Sequence, residues 1–338
     1  PLGGTDRKGT FLHYQGSKKL FVQNKIPINM GVIVLPKSVA SKYHDQSVAE
    51  FSVKNGIFHP IGPRDDKVFA NNIRASNDAY EAIIMNLKLS DFGYYNCVRK
   101  FHNYVKEKLI NRFSTRKDVL NIGIGAGGNI GKYVKSQVKS LNGINIVDVK
   151  YQYDKTYMKF YKANKPNYNI GEFVSMKKDV VNVMFAVHYF FRSKESLLNF
   201  LNNLIKSTKT HSKVVMTLMN GSKIYSLMKG NGTFSNSIVD IKLKKVYNST
   251  SLVNNEISVK LKGSLYFKNS DSIEYLVNIG QFVHLMEQIG FKLLENKSFK
   301  EMCDKVHCAN LSIDEKQFSF LNNYLVFERV QSKVKNES

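Results

Sequence analysis

Three cysteines in 338 residues are too few for a disulfide scaffold, and Cys97, Cys303 and Cys308 contain no Cys-x-x-Cys pair. The sequence therefore predicts reduced thiols in a cytosol-like compartment, and His307 beside Cys308 lacks a second pair at ligand spacing, so no structural metal is expected. No stretch approaches the 18 or so consecutive apolar residues that a membrane-spanning helix needs, and the N-terminus has no apolar signal core. A soluble protein is expected. Acidic residues are scarce as well: 27 Asp plus Glu stand against 50 Lys plus Arg, a formal charge of +23. This excess, with a sequence pI near 9.7, points to a polyanionic partner such as nucleic acid. A nucleophile elbow, a P-loop and a zinc-hydrolase motif are all missing, so covalent, nucleotide-hydrolysing and zinc chemistries find no support.

What is present is an alternation of strand-like and helical runs from about residue 115, the signature of a mostly parallel sheet with helices on both faces. "DVLNIGI" leads through glycines into "NIGKYVKSQVKSL", read as a helix, and then "GINIVDV". "VVNVMFAVHYFF" has the composition of a buried strand. "SKESLLNFLNNLIKS" places Leu197, Leu198, Leu201, Leu204 and Ile205 at helical spacing, with Ser193 or Ser196 as N-cap. "KVVMTLM" predicts another strand, and "EISVKLKGSLYF" alternates as a half-buried antiparallel strand does. "IGQFVHLMEQIG" predicts a helix stopped by Gly290, and "FLNNYLVFERV" a last strand. Upstream, residues 94–113 form an amphipathic pattern, with Phe101, Val105 and Leu109 on one side and Arg99, Asn103 and Lys106 on the other. Within 48–67 a short hairpin is expected.

The run "VLNIGIGAGGNIGKYV" carries five glycines and no acid. Gly123, Gly125, Gly127 and Gly128 mark a strand-to-helix loop whose backbone amides can approach a ligand. Asn129 stands where the third glycine of the dinucleotide fingerprint would fall, which argues against NAD. Asp148 ends the next strand 25 residues after Gly123, where an acid commonly binds ribose hydroxyls; the alternative is an Asp capping a turn. A nucleoside without a clear pyrophosphate site suggests S-adenosylmethionine.

At "MFAVHYFF" the chain resembles the mRNA cap guanine-N7 methyltransferases, in particular the methyltransferase domain of multifunctional capping enzymes from large DNA viruses of the poxvirus and African swine fever virus type. "RKFHNYVKEKLI", "VVMTLMNGSKIYSLM", "EYLVNIGQFVHLMEQIGF" and "NYLVFERV" extend the likeness. It implies a class I, Rossmann-like α/β fold, with a seven-stranded mostly parallel sheet, helices on both faces and a cap-pocket insertion. It implies S-adenosylmethionine as methyl donor, S-adenosylhomocysteine as product, no metal, and the capped 5′ end of mRNA as acceptor. Residues 1–4 read as a tag remnant, 5–60 as a tail or linker from a preceding guanylyltransferase-like module, and 61–338 as the methyltransferase domain. The rest of the parent capping enzyme, an activating subunit, and host cytoplasm or virion complete the expected setting.

Carried over by residue, the resemblance gives the donor Lys106, Asn121, Gly123, Gly125, Asn129, Asp148, Glu172, Met184, Phe185 and Tyr189. To the cap it gives Asn103, Phe185, His188, Tyr189, Glu274 and Tyr324. Guanine N7 has a free lone pair, so positioning suffices and no catalytic acid or base is expected. The family pattern is broken at Asn121, Ala126 and Asn129, where it has acid, base and acid, and at Phe160, where it has an Arg near the cap phosphates; Lys159 or Lys162 is available instead. Another RNA methyltransferase, or a non-enzymatic RNA-binding or docking module with a degenerate donor site, are the alternative readings.

Overall fold

The computed structural model describes the backbone of residues 8–12, 29–34, 49–54, 57–63 and 90–330, apart from 126, 146–156, 164–168, 170, 172–176, 229 and 263–270; side chains are described from Cys97 onward. The described strands fall into two compact units. In the first, β1 (Lys8–Leu12) pairs antiparallel with β2 (Asn29–Val34), and β3 (Ala49–Lys54) with β4 (Ile57–Pro63) in the expected hairpin.

The second unit opens with α1 (Ser90–Ser114), which buries Val98, Phe101, Val105 and Leu109 along one face, as the spacing predicts. Along the chain follow β5 (Asp118–Ile122), α2 (Ile130–Lys135, whose residues Ile130–Lys132 group with the first unit), β6 (Ser140–Asn145), β7 (Met158–Lys162) and β8 (Lys178–Met184), then a 3-10 helix over Val187–Arg192. Next come α3 (Lys194–Ser207), β9 (Thr208–Met219) and α4 (Gly221–Leu227). Ser193 is the N-cap of α3, its hydroxyl accepting from the Ser196 amide. A four-stranded antiparallel meander, β10 (Thr233–Ser235), β11 (Val239–Leu243), β12 (Glu256–Leu261) and β13 (Ser272–Tyr275), precedes α5 (Ile279–Gln288). Finally β14 (Phe291–Ser298), α6 (Ile313–Ser319) and β15 (Asn322–Arg329) close the unit.

The main sheet has seven strands in the order β7-β6-β5-β8-β9-β15-β14, parallel from β7 to β9 and antiparallel at β15 and β14. This matches the seven-stranded, mostly parallel sheet expected from the sequence. One face packs Leu120, Val181, Val183, Val214, Met216 and Phe327 against Leu197, Phe200 and Leu204 of α3 and Phe282 and Met286 of α5. Each such fully buried side chain stabilises the fold by about 1.5–3 kcal/mol relative to exposure. Alternate residues of the same strands face α1, among them Asn182, whose amide donates to Ser114 Oγ at 2.9 Å. Strand order reverses between β5 and β8, and a ligand crevice forms at the carboxyl ends of such strands.

Three expectations need correction. The predicted helix after the glycines ends at Lys135, and strand β6 begins already at Ser140. Parallel pairing with Asp118, whose carboxylate accepts from Ser140 Oγ at 2.6 Å, overrides the helical pattern there. The apolar run through Phe191 is no single strand: it breaks at Phe185, which takes φ +55°. Cys303 and Cys308, expected reduced, are joined in a disulfide with Cα atoms 5.7 Å apart. The turn between them makes this possible, because Asp304 accepts from the Val306 and His307 amides and its carbonyl from the Cys308 amide. Cys97 remains a free thiol.

Candidate active site

The loop after β5 is built by close backbone approach. Gly123 has φ +75°, and its amide donates to the Ile144 carbonyl at 2.8 Å. A Cβ there would lie 2.5 Å from Cβ of Ala186, so the β5 and β8 ends meet only because residue 123 is glycine. Around Gly125 and Gly128, by contrast, a Cβ would meet nothing within 4 Å, and the loop is open on that side. Asn121 is fully buried, its amide donating to the Tyr133 hydroxyl at 2.8 Å. The carbonyl oxygens of Asn121 and Asn129 are both buried without a hydrogen-bond partner. An acceptor left in that state costs about 1–3 kcal/mol unless a ligand supplies the donor. An ammonium group suits two neutral acceptors, so these residues fit the amino-acid end of S-adenosylmethionine, the open glycines leaving room beside it.

Across the crevice, the β8 end is tied to β9. The Phe185 amide donates to both the carbonyl and Oγ1 of Thr217, each at 3.0 Å, and Thr217 Oγ1 also reaches the Met184 sulfur at 3.8 Å. A positive φ at a bulky residue costs on the order of 1–3 kcal/mol and persists only where surroundings enforce it. Here the ring is stacked on His102 of α1, with centroids 5.3 Å apart and planes 17° apart, and meets Phe299 edge-on at 5.8 Å. Lys106 Nζ lies 5.8 Å from the Phe185 centroid. Lys106 and Phe185, each named for the donor from the sequence, are thus neighbours in the structure; Asn103 is half-buried on the same helix. His102, Thr217 and Phe299 were not anticipated. Only the four-residue spacing of His102 from Lys106 hinted at the first, and no sequence signal announces a left-handed phenylalanine.

A second group sits beside the 3-10 helix. His188 is buried, and its Nε2 lies 3.5 Å from Glu274 Oε2, too long and poorly aligned for a hydrogen bond, so both ring nitrogens lack one. Burial holds the His188 pKa below its ordinary value, the Glu274 charge opposing it. Glu274 projects from β13 opposite Ile257, and among the described residues it forms no ion pair with Lys or Arg. Tyr189 is 46% exposed; its ring centroid is 4.2 Å from that of His188, and its hydroxyl is 3.5 Å from Ser272 Oγ. The result is a carboxylate flanked by a neutral imidazole and an exposed phenol ring.

Tyr324 does not join this group. It is only 2% exposed on the α1 face of the sheet, and its hydroxyl donates to Glu295 Oε2 at 3.0 Å, a carboxylate paired with Arg112 at 2.6 Å. Burial, then the Glu295 bond, pushes its pKa up to about 12. Asp148, Glu172 and Ala126 lie outside the described residues. Phe160 packs over Gly143, where a Cβ would come within 2.7 Å of its ring, while Lys159 and Lys162 are exposed beside it. A cavity of about 560 Å³ opens elsewhere, between α4 and α6, but its Lys223 is already bonded to Ser298, the Phe320 carbonyl and Asn323. Among the described residues no cluster of three His, Cys, Asp or Glu is spaced for a metal, and no helix is long and apolar enough to cross a membrane.

Comparison with known proteins bears on this geometry. The family model for the mRNA (guanine-N(7))-methyltransferase domain matches residues 88–318. The chain is 26% identical over 251 residues to a protein named "Probable mRNA-capping enzyme" from Acanthamoeba polyphaga mimivirus, covering 60% of this chain and 21% of that one. It is 24% identical over 243 residues to the mRNA-capping enzyme of an African swine fever virus isolate, covering 62% and 28%. It is 25% identical over 254 residues to the mRNA cap guanine-N(7) methyltransferase of Caenorhabditis briggsae, covering 67% and 65%. The likeness therefore extends to both viral and animal proteins rather than to the poxvirus and African swine fever type alone, and the chain spans about a quarter of the length of the viral relatives.

Proposed function

The chain belongs to the mRNA (guanine-N(7))-methyltransferase domain family, and on that premise we propose that it transfers the methyl group of S-adenosylmethionine to N7 of the guanine in a GpppN-capped RNA. One observation carries the reading: Glu274, a carboxylate with no Lys or Arg ion pair among the described residues, stands with His188 and Tyr189 just beyond the β8 end, while Asn121 at the end of β5 and Asn129 after the glycines hold two unsatisfied acceptors. Bound donor supplies an activated sulfonium methyl. Lys106 would pair with its carboxylate, and the Asn121 and Asn129 oxygens would accept from its ammonium. Gly123 and Gly125 would border the methionine and ribose, Asp148 the ribose hydroxyls and Glu172 the adenine. Met184 and Phe185 would wall the reacting face.

On the acceptor side, Glu274 can accept from guanine N1–H and the exocyclic amine together, a pattern adenine cannot offer. Tyr189 supplies an exposed ring for the purine face, His188 contributes a neutral edge, and Asn103 serves the phosphate side. Guanine N7 needs no deprotonation, so these residues act by fixing direction and distance. The charge of +23 favours an RNA acceptor over a small one. We further propose that the chain is part of a larger capping enzyme of a large DNA virus, acting in host cytoplasm, with residues 5–60 connecting to a guanylyltransferase-like module and with an activating subunit as a second partner.

The test is transfer of labelled methyl to matched GpppA-RNA, ApppA-RNA and uncapped RNA, followed by digestion to locate the label. N7-methylguanosine from GpppA-RNA alone is expected. Label in ribose or adenine would replace the reading with another RNA methyltransferase, and no transfer together with no donor binding would replace it with a docking module.

A further inference from the structure

His102 lies on α1 four residues before Lys106, so the two share a helical face. Its imidazole is buried, yet it is no inert filler: Nε2 hydrogen-bonds Ser319 Oγ of α6 at 3.2 Å, and the ring is parallel to that of Phe185 while standing edge-on to Phe299 at 5.4 Å. Phe185, on the other side of that stack, carries the left-handed backbone and lies under the Lys106 ammonium. An apolar side chain would fill the same space without the cost of burying a ring nitrogen. The bond to Ser319 offsets that cost and fixes the rotation of the ring, which a leucine could not do.

We propose that His102 is a positioning residue of the donor site: held by Ser319, it is the platform that orders Phe185 and, through it, the placement of Lys106 toward the donor carboxylate. The inference rests on the reading of Lys106 and Phe185 as donor residues. Its chemistry is that of a neutral ring. Burial, then the nearby Lys106 charge, lowers the His102 pKa to about 3, so a second cation beside Lys106 is avoided at working pH and His102 takes no part in proton transfer.

The experiment compares His102→Ala, His102→Phe and Ser319→Ala in the full chain by donor-binding calorimetry, with thermal melts to establish that each variant is folded at the assay temperature. His102→Ala should weaken donor binding by about 3- to 10-fold, the range for one lost aromatic pair, and raise the donor KM more than it lowers kcat. His102→Phe, which restores the stack without the Ser319 bond, should recover part of the affinity, and Ser319→Ala, which keeps the stack, should weaken binding less than His102→Ala. Unchanged donor affinity in folded His102→Ala, or no recovery in His102→Phe, would overturn the platform role.

A ligand-free readout separates this inference from the donor-site reading. The chain has no tryptophan, so Phe185→Trp introduces a single reporter. Its anisotropy should be high and its quenching by acrylamide low with His102 present, and both should reverse when His102→Ala is added. Identical signals in the two backgrounds would refute the platform even if the wild-type chain binds no donor, whereas a reversal without donor binding would leave the platform standing and remove only the donor assignment.

Discussion

Gly123→Ala tests the glycine loop at its most constrained point. The added methyl incurs two separate penalties. A Cβ-bearing residue at φ +75° costs about 1–2 kcal/mol. The 2.5 Å approach to Ala186 Cβ forces displacement in a well-packed region, which costs about 1–3 kcal/mol. Ala186 is poorly able to yield, since it is buried and follows the strained Phe185 directly. Together these predict a loss of about 2–5 kcal/mol, or a fall in melting temperature of about 4–15 °C for a chain of this size. Scanning calorimetry on the wild type, Gly123→Ala and the double variant with Ala186→Gly measures both parts, because removing the second methyl relieves the clash and leaves the dihedral cost. Gly125→Ala serves as the contrast: φ is +60° but nothing lies within 4 Å, so stability should fall by only about 1–2 kcal/mol while donor affinity suffers. A Gly123→Ala melt within about 2 °C of wild type, or a double variant no more stable than the single one, would refute the reasoning.

Other outcomes follow from the same structure. Glu274→Gln keeps the shape but replaces a charged acceptor with a neutral one, so kcat/KM for GpppA-RNA should drop by about 10- to 100-fold with donor affinity unchanged; an equal loss of donor binding would count against its acceptor role. Tyr324→Phe removes the bond to Glu295 and should lower stability by about 1 kcal/mol without changing the KM for capped RNA; a raised KM would return Tyr324 to the cap pocket. His102 titrates near 6.5 when unfolded but near 3 when folded, so its contribution to stability is complete above about pH 6.5 and is lost as pH falls toward 3. Urea midpoints at about pH 7.5 and 5 should therefore differ less in His102→Phe than in wild type, and equal differences would contradict the buried neutral ring. Alkylation of native protein without reductant, read by mass spectrometry, should modify Cys97 alone; modification of all three cysteines would disprove the Cys303–Cys308 bond.

Much of the architecture was legible because it follows periodicity. The α1 stripe of Phe101, Val105 and Leu109 and the Ser193 cap arise from local patterns, and the structure has both; β12 is an antiparallel strand as expected, but Ser258 is buried between Ile257 and Val259, so its burial does not alternate. What escaped the sequence depends on partners far along the chain. The start of β6 was set by pairing with β5, and the break at Phe185 by Thr217 on a neighbouring strand. Of the site, the structure sets Lys106 beside Phe185 and His188 beside Glu274, residues that the sequence named singly and did not pair. Tyr324 did not, because strand alternation turns it toward α1, where Glu295 takes its hydroxyl. The disulfide was hidden by its spacing, which matches no common motif and closes only through the Asp304 turn.

The segment that carries Glu274 departs after β9 and comes back beside the same strand end: Asn220 bridges Val277, and the Gly221 amide donates to the Val277 carbonyl at 2.9 Å. Gly221 makes this crossing possible, since a Cβ there would lie 2.7 Å from Val277 backbone atoms. A segment whose two ends are clasped together can lengthen, shorten or be exchanged without shifting the strands that flank it. The proposed acceptor contact at Glu274 and the proposed donor contacts at Lys106 and the glycine loop thus lie on separate segments of the chain, so the two can diversify independently in sequence.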